Sequence, residues 1–380
     1  MRVGIDYTAA VRQSAGIGRY TRNLVGALIE LDDQVQFTLL VAGLGISDVS
    51  SAVAQLTIVS NVRLVNLPLT DRQLAVLWHR LRLPLWAELA CGSLDVFYSP
   101  DFALPPLLRA RSVLTVHDLS FMRLPECSES SLRAYLMRAV PKSVRRADVV
   151  LADSKSTRND VIELLGTDPQ RVKVVYPGVE ARFRPVEDLH VLASVRQRYS
   201  LPRRFVLGLG TLQPRKNFRR LIDAYQLCRN TACGDVELVI SGREGWLYQP
   251  IFERVAELGL EKQVHFTGHV DDGDLPALYS LAELFVFPSL YEGFGLPPLE
   301  AMACGTPVVT SSGSSLCEVV GDSALLIDPT DVKGLAQAMS RVMSDQQLRA
   351  QLIEQGLRRA RRFTWRRAAE ELFTILEQLG

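Results

Sequence analysis

Two carboxylates, Glu292 and Glu300, stand eight positions apart in YEGFGLPPLEAMACGTPVV, residues 291–309, across a glycine-rich turn. Residues 282–288 (AELFVFP) read as a short buried strand ahead of that turn. Pro297 and Pro298 follow where a helix can begin, since proline at a first helical position loses no hydrogen bond. Gly293 and Gly295 leave the intervening backbone free to take positive φ and to approach a ligand closely. The pattern predicts strand, turn and helix N-terminus, with Glu292 in the turn and Glu300 in the first helical turn. Unpaired amides and the positive end of a helix dipole favour phosphate at such a place, so the segment suits holding a sugar and its leaving group. Ordinary capping of a helix would use the same residue types.

Other groups stand at predicted strand ends. GTLQPRKNF, residues 210–218, brings Arg215 and Lys216 just ahead of a helix, where arginine meets a diphosphate as a two-pronged donor and lysine as a point charge. A solvated basic turn is the alternative. His117 and Asp118 close the run SVLTVH at the carboxyl edge of a sheet, where ligands bind in open parallel sheets; a histidine satisfied by local hydrogen bonds fits the same position. SAGIGRYTRNL, residues 14–24, sets Gly16 and Gly18 before a helix, so that backbone amides can face a ligand. It lacks the third glycine of the dinucleotide fingerprint, and a purely structural turn explains it as well. DDGD at 271–274 contains a D-x-D spelling but reads as capping of the helix LPALYSLAE, not as a metal site.

These groups need sheets to stand on. Short β-branched runs alternate with longer amphipathic stretches throughout, the habit of parallel sheets covered by helices. Strands are predicted at residues 2–6, 36–41, 62–67, 95–99, 112–117, 148–152 and 171–175, and a second set at 205–209, 237–241, 264–267, 284–287, 307–310 and 324–327. YPGVEARFRP, residues 176–185, breaks regular structure between the sets, and 380 residues exceed what one core usually supports. The expected domains are 1–185, joined by a last helix at 363–380, and 186–362, with the hinge near 177–202.

Composition narrows the function. Hydrophobic residues make up 47% and charged residues 22%, an ordinary globular balance. With 43 basic and 42 acidic residues the net charge is +1, which argues against a dedicated nucleic-acid binder. No apolar run reaches the length of a bilayer span, and MRVGIDYT enters a strand pattern without a charged and apolar leader, so a cytoplasmic protein is expected. The six cysteines form no metal-type spacing and are expected as reduced, mostly buried thiols. SLRAYLMRAVPKSVRRAD at 131–148 is basic and amphipathic, carrying Arg133, Arg138, Lys142, Arg145 and Arg146. It suits peripheral contact with anionic lipid at the inner face of a membrane, or an arginine-rich solvated helix face.

Taken in order along the chain, the GIGRY loop, His117-Asp118, Arg215-Lys216 in GTLQPRKN, SGREG at 241–245, FTGHV at 266–270 and the E-x7-E pair from Glu292 to Glu300 resemble the retaining GT-B glycosyltransferases of family GT4, glycosyl transferases group 1. The resemblance covers nearly the whole chain. It implies an α/β fold of two Rossmann-like domains facing across a cleft, with the C-terminal helix crossing back to the first and a nucleotide-sugar donor held mainly by the second. By the same resemblance Glu292 contacts the transferred sugar and Glu300 the ribose hydroxyls. Backbone at Phe294, Gly295 and Leu296 would serve sugar hydroxyls and phosphate, and Arg215 and Lys216 would hold the diphosphate. Gly242 in the SGREG turn and the backbone around His269 and Val270 would complete the donor site towards the base. Gly16 and Gly18 would close on the phosphates, while His117 would face the transferred sugar.

The activity so implied is a metal-independent hexosyltransferase without a resident cofactor. The style of the first loop resembles bacterial mannosyltransferases of polysaccharide assembly, which favours GDP-mannose while leaving UDP-sugars open, with a glycan or lipid-linked glycan as acceptor. A nucleotide-sugar epimerase of the same architecture, or a binding module that has lost activity, are the competing readings.

Overall fold

The computed structural model describes residues 1–13, 16–46, 49–81, 83–229, 231 and 233–380. Among them β1 (Arg2–Asp6), β2 (Gln36–Ala42), β3 (Val62–Leu67), β4 (Val96–Ser99), β5 (Arg111–Val116), β6 (Val149–Ala152) and β7 (Val172–Val174) form a seven-stranded parallel sheet in the order β3-β2-β1-β4-β5-β6-β7. A six-stranded sheet follows from β8 (Phe205–Leu209), β9 (Glu237–Ser241), β10 (Val264–Gly268), β11 (Leu284–Phe287), β12 (Val308–Ser311) and β13 (Leu325–Ile327), ordered β10-β9-β8-β11-β12-β13. Strands such as LFVF and VVTS are buried along their whole length, as a sheet covered on both faces requires. Each sheet reverses its order once, between β1 and β4 and between β8 and β11. At such a switch point the chain leaves neighbouring strands in opposite directions and opens a crevice at their carboxyl ends.

Two compact units result, Met1–Leu119 with Ser130–Gly178 and Thr364–Gly380, and Ser120–Glu129 with Val179–Phe363. The passage at residues 178 and 179 lies inside the segment read as a linker, while the assignment of Ser120–Glu129 to the second unit has no signal in the sequence. The last helix, Trp365–Glu377, starts on Thr364, whose side chain accepts from Arg367 N. Its residues Trp365, Ala368, Ala369, Leu372 and Leu376 recur at helical spacing and sit in the core of the first unit with Leu24, Leu28 and Phe37. Each large apolar side chain so buried contributes about 1.5–3 kcal/mol, which fixes the end of the chain to the first unit.

Two local expectations are corrected. Asp274, the N-cap of helix Leu275–Leu281, makes no capping bond: its backbone is already helical (φ −90°, ψ −14°), which turns the carboxylate away from the first amides. It accepts instead from Arg198 Nη1 at 2.6 Å and Tyr199 Oη at 2.8 Å. Cys228 and Cys233, expected as thiols, are joined in a disulfide. The chain turns back at the end of helix Phe218–Arg229, where Cys233 N donates to Cys228 O at 3.1 Å, and this brings the two Cα atoms to 5.3 Å.

Candidate active site

The carboxyl ends of β8 and β11 meet at the switch point of the second sheet, and one side-chain and one backbone hydrogen bond join the loops that follow them. Pro214–Lys216 forms a single 3-10 turn closed by Asn217 in the left-handed region (φ 61°). Asn217 Nδ2 donates to Pro288 O at 2.9 Å and to Pro329 O at 2.7 Å, while Leu290 N donates to Arg215 O at 2.9 Å. The two cations of the turn are thereby laid against Glu292. Arg215 Nη1 donates to Glu292 Oε2 at 2.7 Å and to Tyr291 O at 2.7 Å, and Lys216 Nζ donates to Glu292 Oε1 at 2.7 Å. Lys216 Nζ also lies 4.7 Å from the centre of the Phe287 ring.

All three side chains are largely withdrawn from solvent, at 15%, 11% and 10% exposure for Arg215, Lys216 and Glu292. Burial alone would raise the Glu292 carboxyl, but Arg215 and then Lys216 outweigh it and hold the group at about 2. The sequence marks all three residues; it does not reveal that they form one cluster.

Glu300 falls in the second turn of helix Leu296–Ala303, not in the first, because the helix begins at Leu296. Pro297 and Pro298 carry no N–H, so the first turn keeps the amides of Leu296 and Leu299. Gly295 precedes it at φ 108°, where a Cβ would also lie 2.6 Å from Leu316 Cδ2. Glu300 is 2% exposed and accepts from Tyr279 Oη at 3.0 Å.

Two serines after β12 hold the glutamate turn in shape. Ser314 Oγ accepts from Glu292 N at 2.9 Å, and Ser315 Oγ lies 2.9 Å from Glu292 O and 2.7 Å from Phe294 O. These serines and Tyr279 escaped the sequence reading. The run SSGSS at the end of a predicted strand was the available signal for the first two.

Gly242 follows β9, with its N–H donating to Gly268 O at 2.8 Å. Its missing side chain is a packing requirement, since a Cβ would fall 2.0 Å from Gly210 O. Val270 is buried and His269 exposed just past β10. Arg215, Lys216, Gly242, His269, Val270, Glu292, Phe294, Gly295, Leu296 and Glu300 therefore all belong to the carboxyl-edge loops of one sheet and the helix that opens there.

In the first unit, Gly16 (φ 57°) precedes helix Ile17–Ile29, and Gly18 is the second residue of that helix. A Cβ on Gly18 would lie 2.0 Å from Gln13 O, so the glycine is needed for close backbone approach whatever it offers a ligand. Ser14 and Ala15 of the same loop lie outside the described residues. His117 stands one residue beyond β5, 8% exposed, with Nδ1 2.7 Å from Asp153 Oδ2 and Nε2 2.8 Å from Pro100 O. Asp153 was not anticipated, because 36 residues separate it from His117. The stretch 131–148 forms helix Ser130–Arg146, with Ala139, Val140, Ser143 and Val144 buried and Leu132 and Met137 exposed. Arg146 is committed to the carbonyls of Leu104 and Pro105 at 3.2 and 2.5 Å. Among the described residues no helix is long and apolar enough to cross a membrane.

Residues 195–359 match the family Glycosyl transferases group 1, and residues 14–183 match Glycosyltransferase Family 4. Over 271 residues the chain is 36% identical to O-antigen chain mannosyltransferase B of Escherichia coli, covering 71% of each protein. The chain belongs to the family 4, group 1 glycosyltransferases. This glycosyltransferase is also 35% identical over 280 residues to the serotype-specific mannosyltransferase WbdA of Escherichia coli, a match that spans 70% of this chain and 34% of that longer protein. Among solved structures it is similar to sucrose-phosphate synthase from Thermosynechococcus elongatus (TM-score 0.77, 22% identity, 100% and 99% of the two chains). It is likewise similar to Anabaena HepE in complex with UDP and glucose (TM-score 0.75, 20% identity, 99% of each). These likenesses show the GT-B fold, with its two Rossmann-like domains.

Proposed function

We propose that this glycosyltransferase moves a hexose, mannose in preference, from a nucleotide diphosphate sugar to a glycan or lipid-linked glycan, with retention at the anomeric carbon. The observation that carries the proposal is the Arg215–Lys216–Glu292 cluster at the switch point of the second sheet. As the bond from anomeric carbon to phosphate breaks, negative charge grows on the diphosphate. Two cations largely withdrawn from solvent and already held in place by a carboxylate meet that charge without having to reorganise. Glu292 then stands beside the sugar, and Glu300, kept in place by Tyr279, receives the ribose hydroxyls. Backbone at Phe294, Gly295 and Leu296 serves sugar hydroxyls and phosphate, and the loop at Gly242, His269 and Val270 serves the base. Gly16 and Gly18 of the first unit are assigned to phosphate, while His117, whose two ring nitrogens already face Asp153 and Pro100, acts through the turn it holds. The named relatives transfer mannose, which favours transfer over epimerisation and mannose over other hexoses.

A thermal-shift panel of GDP-, UDP-, ADP- and dTDP-sugars tests the donor assignment. A donor at about 100 times its Kd adds roughly 2.7 kcal/mol of stability. GDP-mannose is expected to give such a shift and Glu300→Ala to remove most of it, while no shift with any sugar nucleotide would remove the donor site.

A further inference from the structure

His117 spends both ring nitrogens on oxygen acceptors. Nε2 faces the carbonyl of Pro100 at 2.8 Å, and a backbone carbonyl has no hydrogen to give, so Nε2 must carry one. Nδ1 faces Asp153 Oδ2 at 2.7 Å. Asp153 is 5% exposed, and its other oxygen, Oδ1, takes no hydrogen bond among the described residues. A buried carboxylate in that position has the ring as its counter-charge. The ring in turn braces the turn after β4: it holds the Pro100 carbonyl and packs edge-on against Phe102 at 5.4 Å. That turn is strained, with Phe102 at φ 27° and Ser99 Oγ donating to Ala103 O at 2.6 Å. It leaves β4 beside the switch point of the first sheet.

We propose that Asp153 is a positioning residue that keeps His117 doubly protonated, so that the ring clamps the Pro100–Ala103 turn and takes no proton during transfer. The groups around the ring agree with this. Asp101 and Asp153 add negative potential from the ends of β4 and β6, and Asp118 adjoins the ring in the chain. Tyr20 from helix Ile17–Ile29 packs edge-on at 4.7 Å, and Thr157 Oγ1 donates to His117 O at 3.2 Å. Burial works against the charged ring, yet Asp153 outweighs it and pushes the group up to about 9. The folded value lies above the ordinary one, so the charged clamp is complete below pH ~6.5 and is lost as pH rises through about 9.

The catalytic half of this proposal rests on the glycosyl-transfer reading; the protonation half does not. In ¹⁵N-histidine-labelled protein, with the His117 signals assigned by their loss in His117→Gln, both ring nitrogens are expected to show imidazolium shifts up to pH 8. A neutral ring with Nε2–H at pH 7 would overturn the proposal without any substrate. Asp153→Asn keeps a hydrogen-bonding group beside Nδ1 but supplies no charge, so the ring should titrate near its ordinary value and lose one of its two N–H groups above it. Its kcat is expected to fall, with donor KM unchanged. Its pH profile should decline above about 6.5, the ordinary histidine value, and the wild type's only towards pH 9. A variant with wild-type kcat and pH profile would overturn the positioning role.

Discussion

Glu292→Ala is expected to lower the calorimetric transition of the second unit by on the order of 10 °C at pH 7, besides abolishing transfer. The substitution removes the shared partner of Arg215 and Lys216, both mostly buried. Breaking a buried pair from one side costs about 3–5 kcal/mol. A domain of this size loses roughly 2–4 °C per kcal/mol. Glu292→Gln, which keeps the shape and two polar atoms, should recover part of the loss in stability and little of the activity. The pH dependence has a definite sign. The folded carboxyl is held down at about 2, below its ordinary value, so its contribution is present above pH ~4.5 and disappears as pH falls towards 2. The gap between wild type and Glu292→Ala should therefore be widest near neutrality and narrow in acid. A gap independent of pH would mean that the cations are not what Glu292 compensates.

Lys216→Met should cost kcat about 100- to 1000-fold, the usual penalty for removing one preorganised donor from developing negative charge. Methionine preserves most of the stem that lies along Phe287 and leaves Arg215 with Glu292, so this variant isolates the point charge. Stability should fall far less than in Glu292→Ala, and the two variants together separate support of the fold from support of the leaving group. Steady-state rates at saturating donor read the effect. A kcat within tenfold of wild type would take Lys216 out of the reaction.

The sheets were legible because each strand is covered on both faces and so writes itself as an apolar run bounded by polar turns; LFVF and VVTS are extreme cases. Strand ends shifted by a residue or so, as at Val96 and Val308, since polar and proline residues beside a run carry little information on where pairing stops. Glu300 lies one residue further into its helix than the prolines suggest, because Leu296 and not Pro297 opens the helix after the positive-φ Gly295. Tertiary partners were the least legible. Arg215 and Lys216 were visible as cations and Glu292 as a carboxylate, but their meeting depends on Asn217 and Leu290 stitching two loops together. The satisfaction of His117 Nε2 depends on a backbone carbonyl aimed by a strained turn, and its partner Asp153 ends a different strand. Periodicity and motif spacing report neither.

Retaining transfer of mannose fixes the anomeric configuration of the product formed from GDP-α-mannose and a mannose-terminated oligosaccharide, read from the one-bond C1–H1 coupling in the NMR spectrum. An α-mannoside formed together with free GDP is the expected result. A β-mannoside, or GDP-mannose left unconsumed, would contradict the account.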